Sequence, residues 1–421
     1  MKKIAKLSLV AAIAVAGLTA ANAQPLEEAI KNVDVSGSVV YRYNDYNGQD
    51  KATTGQTSND DNSNNNYKVA MNLSSKINED VKFNSRFIIG GADAGFATLN
   101  NSTTADQNVN VTLSNAYFGY TGIKNTTVNV GKQGLTTPWT VAVDSDGNEQ
   151  TGTGILALST VGPVTLAGAY FNQTNIGQSG GILKDGSTFI FNDVNGNGVW
   201  DPATEPTTGA GNDGKISTRA VATVGAIATF APVTLDAWYL DMEKTFDTYT
   251  LGAKVADTIS GIALGADARW VSLNLDDNST KNDMIKIVLT ADAGLVDGKV
   301  AYAKTNKEGG LTALDIDATT TLLGWNLTSN NKKDADYWQA VLGFDILSNL
   351  NLSANYGNVQ YAIANGTDDM EDEEIYGQLL YKMSKNLNTY VRYGTLTKEN
   401  KTANTTQTDG TVGRLQVEYT F

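Results

Sequence analysis

The chain has 421 residues, no cysteine and no histidine, and 45 acidic against 31 basic side chains, for a formal net charge of −14. Those counts exclude a disulfide scaffold, Ser-His and Cys-His catalysis and imidazole metal ligation. The acidic balance repels nucleic acid and attracts cations.

The first predicted element is a targeting segment. MKKIAKLSLVAAIAVAGLTAANA carries Lys2, Lys3 and Lys6, an apolar run from Leu7 to Leu18, and then Ala21-Asn22-Ala23. Charged start, apolar run and A-x-A box in that order mark a secretory signal peptide over residues 1–23. Cleavage removes three lysines and no acid, so residues 24–421 keep 28 basic and 45 acidic side chains, a balance of −17. Mean hydropathy is −0.25. Beyond the leader no stretch of about 18 residues is uniformly apolar, as a spanning helix requires.

The remainder is a series of period-2 segments. KVAMNLSSK (68–76) places Val69, Met71 and Leu73 on one face. KFNSRFII (82–89) sets Phe83, Ser85, Phe87 and Ile89 against Lys82, Asn84, Arg86 and Ile88. IALGADARW, from Ile262, sets Leu264, Ala266, Ala268 and Trp270 against Asp267 and Arg269. Met284 to Asp292 sets Ile285, Ile287 and Leu289 against Lys286, Val288 and Thr290. The terminal RLQVEYTF alternates Leu415, Val417, Tyr419 and Phe421 with Arg414, Gln416, Glu418 and Thr420. Such alternation is the mark of strands with one apolar and one polar face.

Short connections such as Asn78-Glu79-Asp80, Val161-Gly162-Pro163, Ala231-Pro232 and Ser348-Asn349 alternate with long polar ones. The long ones span about 45–66, 92–108, 134–153, 173–217 and 308–335. That rhythm puts turns on one rim and loops on the other, and predicts about 18 strands of roughly 8 to 13 residues. Tyr41, Tyr43, Tyr170, Tyr239, Trp270 and Tyr393 fall near strand ends, where interfacial girdles lie. The expected fold is all-β: one transmembrane up-and-down antiparallel β-barrel over 24–421, with its last strand paired to its first. A secreted soluble β-protein of two or three sandwiches would not need this loop rhythm.

Six arginines occur, and four of them, Arg42, Arg86, Arg392 and Arg414, fall on the first, third, penultimate and last strands. Alternation turns these four inward, together with Lys68 and Lys82. The connection after Lys132-Gln133 is long, is stiffened by Pro138 and Trp139, and carries Asp144, Asp146 and Glu149. Acids on one wall facing bases on the other predict a transverse field at a pore constriction. The alternatives are a solvated outer loop, and inner charges paired with Asp34 or Glu418.

FNDVNGNGVWDPATEP (191–206) has calcium-loop spacing. With Asp193 as position 1, Asn195 is 3, Asn197 is 5, the turn glycine Gly198 is 6, the Val199 carbonyl is 7 and Asp201 is 9. The closing acid, Glu205, comes one residue after position 12. The expected metal set is Asp193, Asn195, Asn197, Val199, Asp201 and Glu205, in an external loop of about 173–217. The alternative is a plain Asn-Gly turn. The sequence holds no P-loop, nucleophile elbow or zinc motif, so neither catalysis nor a required cofactor is expected.

PLEEAIKNVDVSGSVVYRYND at the mature start resembles the major outer membrane porins of the Campylobacter (epsilonproteobacterial) type. The similarity recurs at VNVGKQGLTTPWT (Val128 to Thr140) and the following Gly152-Thr153-Gly154. The stretch of about 173–217 carries none of these motifs. The resemblance implies an 18-stranded channel, usually a homotrimer, abundant in the outer membrane of a Gram-negative cell, whose third long loop folds into the lumen. Separately, Phe421 with apolar or aromatic residues at alternate positions before it resembles the sorting signal of bacterial outer-membrane barrels, which the barrel-assembly machinery reads. The function that follows is passive diffusion of ions and small hydrophilic solutes through a channel set in outer-membrane lipid; the −17 balance and Asp144, Asp146 and Glu149 add weak cation selectivity. The alternative is a surface structural or adhesive barrel.

Overall fold

The computed structural model describes residues 33–50, 58–91, 94–99, 109–144, 147–179, 216–276, 280–363 and 368–421. The expected signal peptide over residues 1–23 lies outside them. The first half of the wall is β1 (Val33–Asp50), β2 (Ser58–Lys76), β3 (Val81–Gly90), the two-residue β4 (Ala97–Thr98), β5 (Asn110–Ile123), β6 (Thr126–Gly134), β7 (Thr151–Val161), β8 (Val164–Thr174) and β9 (Val221–Phe230). The second half is β10 (Val233–Met242), β11 (Phe246–Ile259), β12 (Ile262–Leu275), β13 (Lys281–Asp292), β14 (Val296–Thr305), β15 (Lys333–Leu347), β16 (Leu350–Ala362), β17 (Asp369–Lys382), β18 (Leu387–Asn400) and β19 (Thr405–Thr420).

Every pairing between these strands is antiparallel. β4 lies against β2 where β3 has ended, with Asn66 opposite Thr98. The other eighteen strands pair in sequence, and β1 pairs β19 with Tyr43 opposite Leu415. The sheet is therefore a closed antiparallel barrel. Beyond the last strand residue, the Gly37 N–H donates to the Phe421 carbonyl at 2.8 Å and the Phe421 N–H to the Gly37 carbonyl at 3.0 Å. Closure satisfies the backbone groups that an open edge would leave bare, which hydrocarbon cannot tolerate.

β13 shows how sequence selects the faces. Ile285, Ile287 and Leu289 are 55%, 44% and 53% exposed, while Lys286 between them is 7% exposed. A soluble strand would have the reverse. An apolar outer belt continues through Leu251, Leu264, Val300, Leu342 and Ile375, and a patch of this extent suits lipid rather than water. Tyr41, Tyr170, Tyr239 and Tyr393 are exposed on the same outer surface.

Short turns close one rim. At 162–163 the chain reverses through Gly162 with φ of 59°, a conformation that glycine adopts without a Cβ penalty. The opposite rim carries 135–150 and 306–332, but it also carries connections as short as 243–245 and 401–404. The alternation of lengths is thus looser than expected. β1 and β2 run to 18 and 19 residues, longer than expected, because SNDDNSNNN at the start of β2 pairs with β1 instead of looping. Asn44 Nδ2 donates to Asn64 Oδ1 and Asn66 Oδ1, both at 3.0 Å, so amide side chains continue the ladder where apolar ones stop.

The buried apolar cluster lies toward this loop-bearing rim. It joins Leu135, Trp139, Leu311, Leu314, Leu322 and Leu327 of the two long connections to wall residues including Phe171, Phe246, Met284 and Tyr337.

Candidate functional site

The site is assembled from three inner-facing wall strands and one connection. Lys68 on β2, Arg86 on β3 and Ser114 on β5 converge on Glu149, which is fully buried. Arg86 grips the carboxylate with two bonds, Nε to Oε2 at 2.9 Å and Nη2 to Oε1 at 2.6 Å, and Ser114 Oγ donates to Oε2 at 2.9 Å. Lys68 Nζ stands 3.6 Å from Oε1 and donates to the Asp144 and Gly147 carbonyls at 2.6 and 3.1 Å. A two-toothed guanidinium–carboxylate pair fixes both distance and angle. It anchors the 135–150 connection to the wall beside its own root. Within β6, Gly131 takes a φ of 133°, where a Cβ would meet the Ala116 carbonyl at 2.5 Å.

The second connection, 306–332, is tethered to the other side. Lys286 Nζ on β13 donates to the Thr319 and Thr321 carbonyls at 2.5 and 2.8 Å. Glu374 on β17 accepts from the Trp325 and Asn326 N–H groups at 2.8 and 2.7 Å, and Tyr337 on β15 donates to the Leu327 carbonyl at 3.3 Å.

The two connections are bonded to one another. The Leu314 N–H donates to the Trp139 carbonyl at 2.9 Å, and Gln150 Nε2 donates to the Leu314 carbonyl at 3.0 Å. The Pro138 carbonyl accepts from Thr319 Oγ1 at 3.0 Å and the Thr320 N–H at 3.2 Å. Counting round the wall from β6 to β14 passes eight strand-to-strand steps of eighteen, so segments rooted on nearly opposite sides meet. Asp315, within this junction, is pushed up to about 6 by burial; backbone N–H groups of Asp317 and Ile316 oppose the shift, and the nearby Asp144 charge adds to it.

The family model described as Campylobacter major outer membrane protein matches residues 1–421. The chain belongs to that family. It is an outer-membrane porin, a channel protein and not an enzyme. Among solved structures, OccK2 (OpdF) of Pseudomonas aeruginosa superposes with a TM-score of 0.67 at 16% identity, covering 92% of this chain and 98% of that one. OpdL of the same organism gives 0.66 at 16%, covering 93% and 99%. OccAB3 of Acinetobacter baumannii gives 0.66 at 14%, covering 92% and 99%. At these identities the likeness is one of fold. No curated protein matches the chain.

In this porin the other basic residues form a separate row. Arg392 stands directly opposite Arg414 in the β18–β19 register, and Arg414 opposite Asn44 on β1. Arg42, two residues back from Asn44, donates through Nε and Nη2 to Gln416 Oε1 at 2.9 and 2.7 Å and lies 4.3 Å from the Phe96 ring. The closed barrel brings these three together, whereas Arg86, expected beside them, stands apart with Glu149. Lys82 is exposed near the turn end of β3, opposite Lys76, and joins neither group. Asp144 is buried beside Lys68. Asp146 lies outside the described residues, as do Asp193, Asn195, Asn197, Val199, Asp201 and Glu205. Among the described residues no group of three or more acidic side chains is placed to hold a metal ion.

The sequence marked 308–335 as a long polar connection, without its tethers to the wall at Lys286, Glu374 and Tyr337. The available signal was its apolar content. GGLTALDIDATTTLLGWNL buries Leu311, Leu314, Leu322 and Leu327, which a solvated loop has no cause to carry.

Proposed function

We propose that the 135–150 and 306–332 segments fold into the lumen, meet there and narrow it. The channel passes ions and small hydrophilic solutes by passive diffusion, with weak cation selectivity. The observation that carries this is the hydrogen-bonded junction between segments rooted on nearly opposite walls. The charge balance of the exported chain favours cations at the mouths. At the narrows the Glu149 charge is matched by Arg86 and Lys68, which keeps the preference weak. A homotrimer, inserted in outer-membrane lipid by the assembly machinery through Phe421, belongs to the same proposal and rests on the family.

The test is single-channel conductance with reversal potentials in a salt gradient. Changing Asp144 and Asp146 to Asn, with Glu149 kept, shifts the reversal potential toward anions. The shift is larger at low salt, where the Debye length is about 30 Å at 0.01 M. An unchanged reversal potential removes the 135–150 segment from the throat. A barrel that does not conduct is instead a plugged surface protein, the occupant of the alternative function.

A further inference from the structure

The row of guanidiniums on β18 and β19 has a feature that neither ion flow nor the fold requires. Arg392 and Arg414 face each other across the strand pair, and like charges directly opposite destabilise a sheet. Val391 and Tyr393 are exposed on the outer belt, so Arg392 points inward with Tyr390. Each arginine is aimed through Nε by a neutral acceptor: Gln378 Oε1 at 2.5 Å for Arg392 and Asn44 Oδ1 at 2.7 Å for Arg414. The terminal nitrogens of Arg392 donate to nothing among the described residues.

Aromatic rings surround these groups. The Arg392 guanidinium lies 4.5 Å from the Tyr390 ring centroid, 5.8 Å from Tyr376 and 5.7 Å from Trp325, and Arg414 is also 5.7 Å from Trp325. Trp325 meets Tyr376 edge-on, with centroids 5.1 Å apart. All five side chains are half-buried. The nearby acid, Glu374, is buried and spends its two oxygens on the Trp325 and Asn326 N–H groups. It positions the indole, and no ion pair joins it to Arg392 among the described residues.

We propose that Arg392, Arg414, Trp325, Tyr376 and Tyr390 form a solute station on the channel wall for small carboxylates that carry a flat ring. The proposal rests on the channel function above and names a solute class for it. The carboxylate takes paired N–H donors from a guanidinium, whose planar fork matches its two oxygens. The ring lies against the indole and phenol faces. Half-exposed groups in a wet lumen hold such a solute weakly, and weak holding is what conduction needs: favourable enough to enter, not enough to stay.

Planar-bilayer recordings in symmetric KCl test it, with benzoate as the probe, acetate as a carboxylate without a ring and benzyl alcohol as a ring without a charge. Wild-type channels show concentration-dependent current interruptions with benzoate and few with either control. In R392Q and W325L the benzoate concentration needed for half-block rises about tenfold or more, and R392K, which keeps charge but loses the fork, falls between. KCl conductance persists in all. Equal benzoate block in wild type, R392Q and W325L overturns the station while leaving the channel intact. Acetate blocking as well as benzoate also overturns it, since the rings then contribute nothing. Absence of KCl conductance in the wild type would instead remove the channel function itself.

Discussion

Changing Glu149 to Gln should release the 135–150 segment while sparing the barrel. Glu149 accepts three hydrogen bonds, at 2.9, 2.6 and 2.9 Å, and has Lys68 Nζ at 3.6 Å. Glutamine keeps one acceptor and turns an amide toward the Arg86 guanidinium. Arg86 then remains buried without its anion, while Lys68 keeps the Asp144 charge nearby. Removing one partner of a buried ion pair costs about 3–5 kcal/mol. Hydration of the charges as the segment loosens brings the figure to the lower end. The surviving bonds, from Lys68 to the Asp144 carbonyl and from Asn175 Nδ2 to the Glu149 carbonyl at 2.8 Å, are not lost. At about 1.4 kcal/mol per tenfold, roughly 3 kcal/mol raises the detached population about a hundredfold. Hydrogen exchange reads this directly. The Gln150 N–H, bonded to the Val141 carbonyl at 2.9 Å, loses about two decades of protection, while the β7–β8 ladder keeps its own. Open-channel current noise rises in parallel. Unchanged exchange and noise in E149Q would refute the anchoring role, and collapse of the whole ladder would show that the pair holds the wall instead.

Deleting Phe421 removes both Gly37 closing bonds and the ring stacked 6.0 Å from Tyr419, so the yield of heat-modifiable barrel on gels should fall; a normal yield speaks against a sorting role. Changing Lys286 to Met leaves the Thr319 and Thr321 carbonyls unpaired at about 1–3 kcal/mol each, and proteolysis within 306–332 should quicken at unchanged barrel melting. Asp315 binds its proton more tightly folded than unfolded, about 6 against 3.8. Docking of 306–332 is therefore strongest below about pH 4 and loses up to roughly 3 kcal/mol as pH rises past 6; an unaltered pH slope of exchange in D315N contradicts this. Isothermal titration with Ca²⁺ should show weak binding, at about 10⁻⁴ to 10⁻³ M, that is lost when Asp193 and Asp201 become Asn; equal binding by both proteins removes the calcium site.

Strand faces were legible because a two-residue period needs only local sequence: Lys286 between Ile285 and Ile287 already states which side faces lipid. Closure was legible too, since RLQVEYTF has the pattern of a wall strand and a barrel leaves it one partner. The loop paths were not. The acids after Gln133 were expected to face the bases across the lumen. Arg86 and Lys68 instead hold Glu149, because β3 and β6 are separated only by β5 and the connection folds back over its neighbours. Periodicity is silent on such folding back, which depends on contacts between residues far apart in sequence, such as Trp139 with Leu314. The Arg392–Arg414 pairing, by contrast, follows from strand register alone once the wall is complete.

The Pro138–Thr320 and Trp139–Leu314 bonds also have a mechanical consequence. A tube one sheet thick is stiff along its strands but soft to ovalisation, since each strand pair acts as a shallow hinge and eighteen share the bend. On the lumenal path proposed above, a tie between points eight steps apart spans close to a diameter and opposes that softest deformation. On that path, lateral pressure from the bilayer would load the Arg86–Glu149 clamp at one end and the Lys286 and Glu374 tethers at the other. Cutting either end should leave a rounder barrel only in a relaxed membrane, and make its cross-section follow membrane tension.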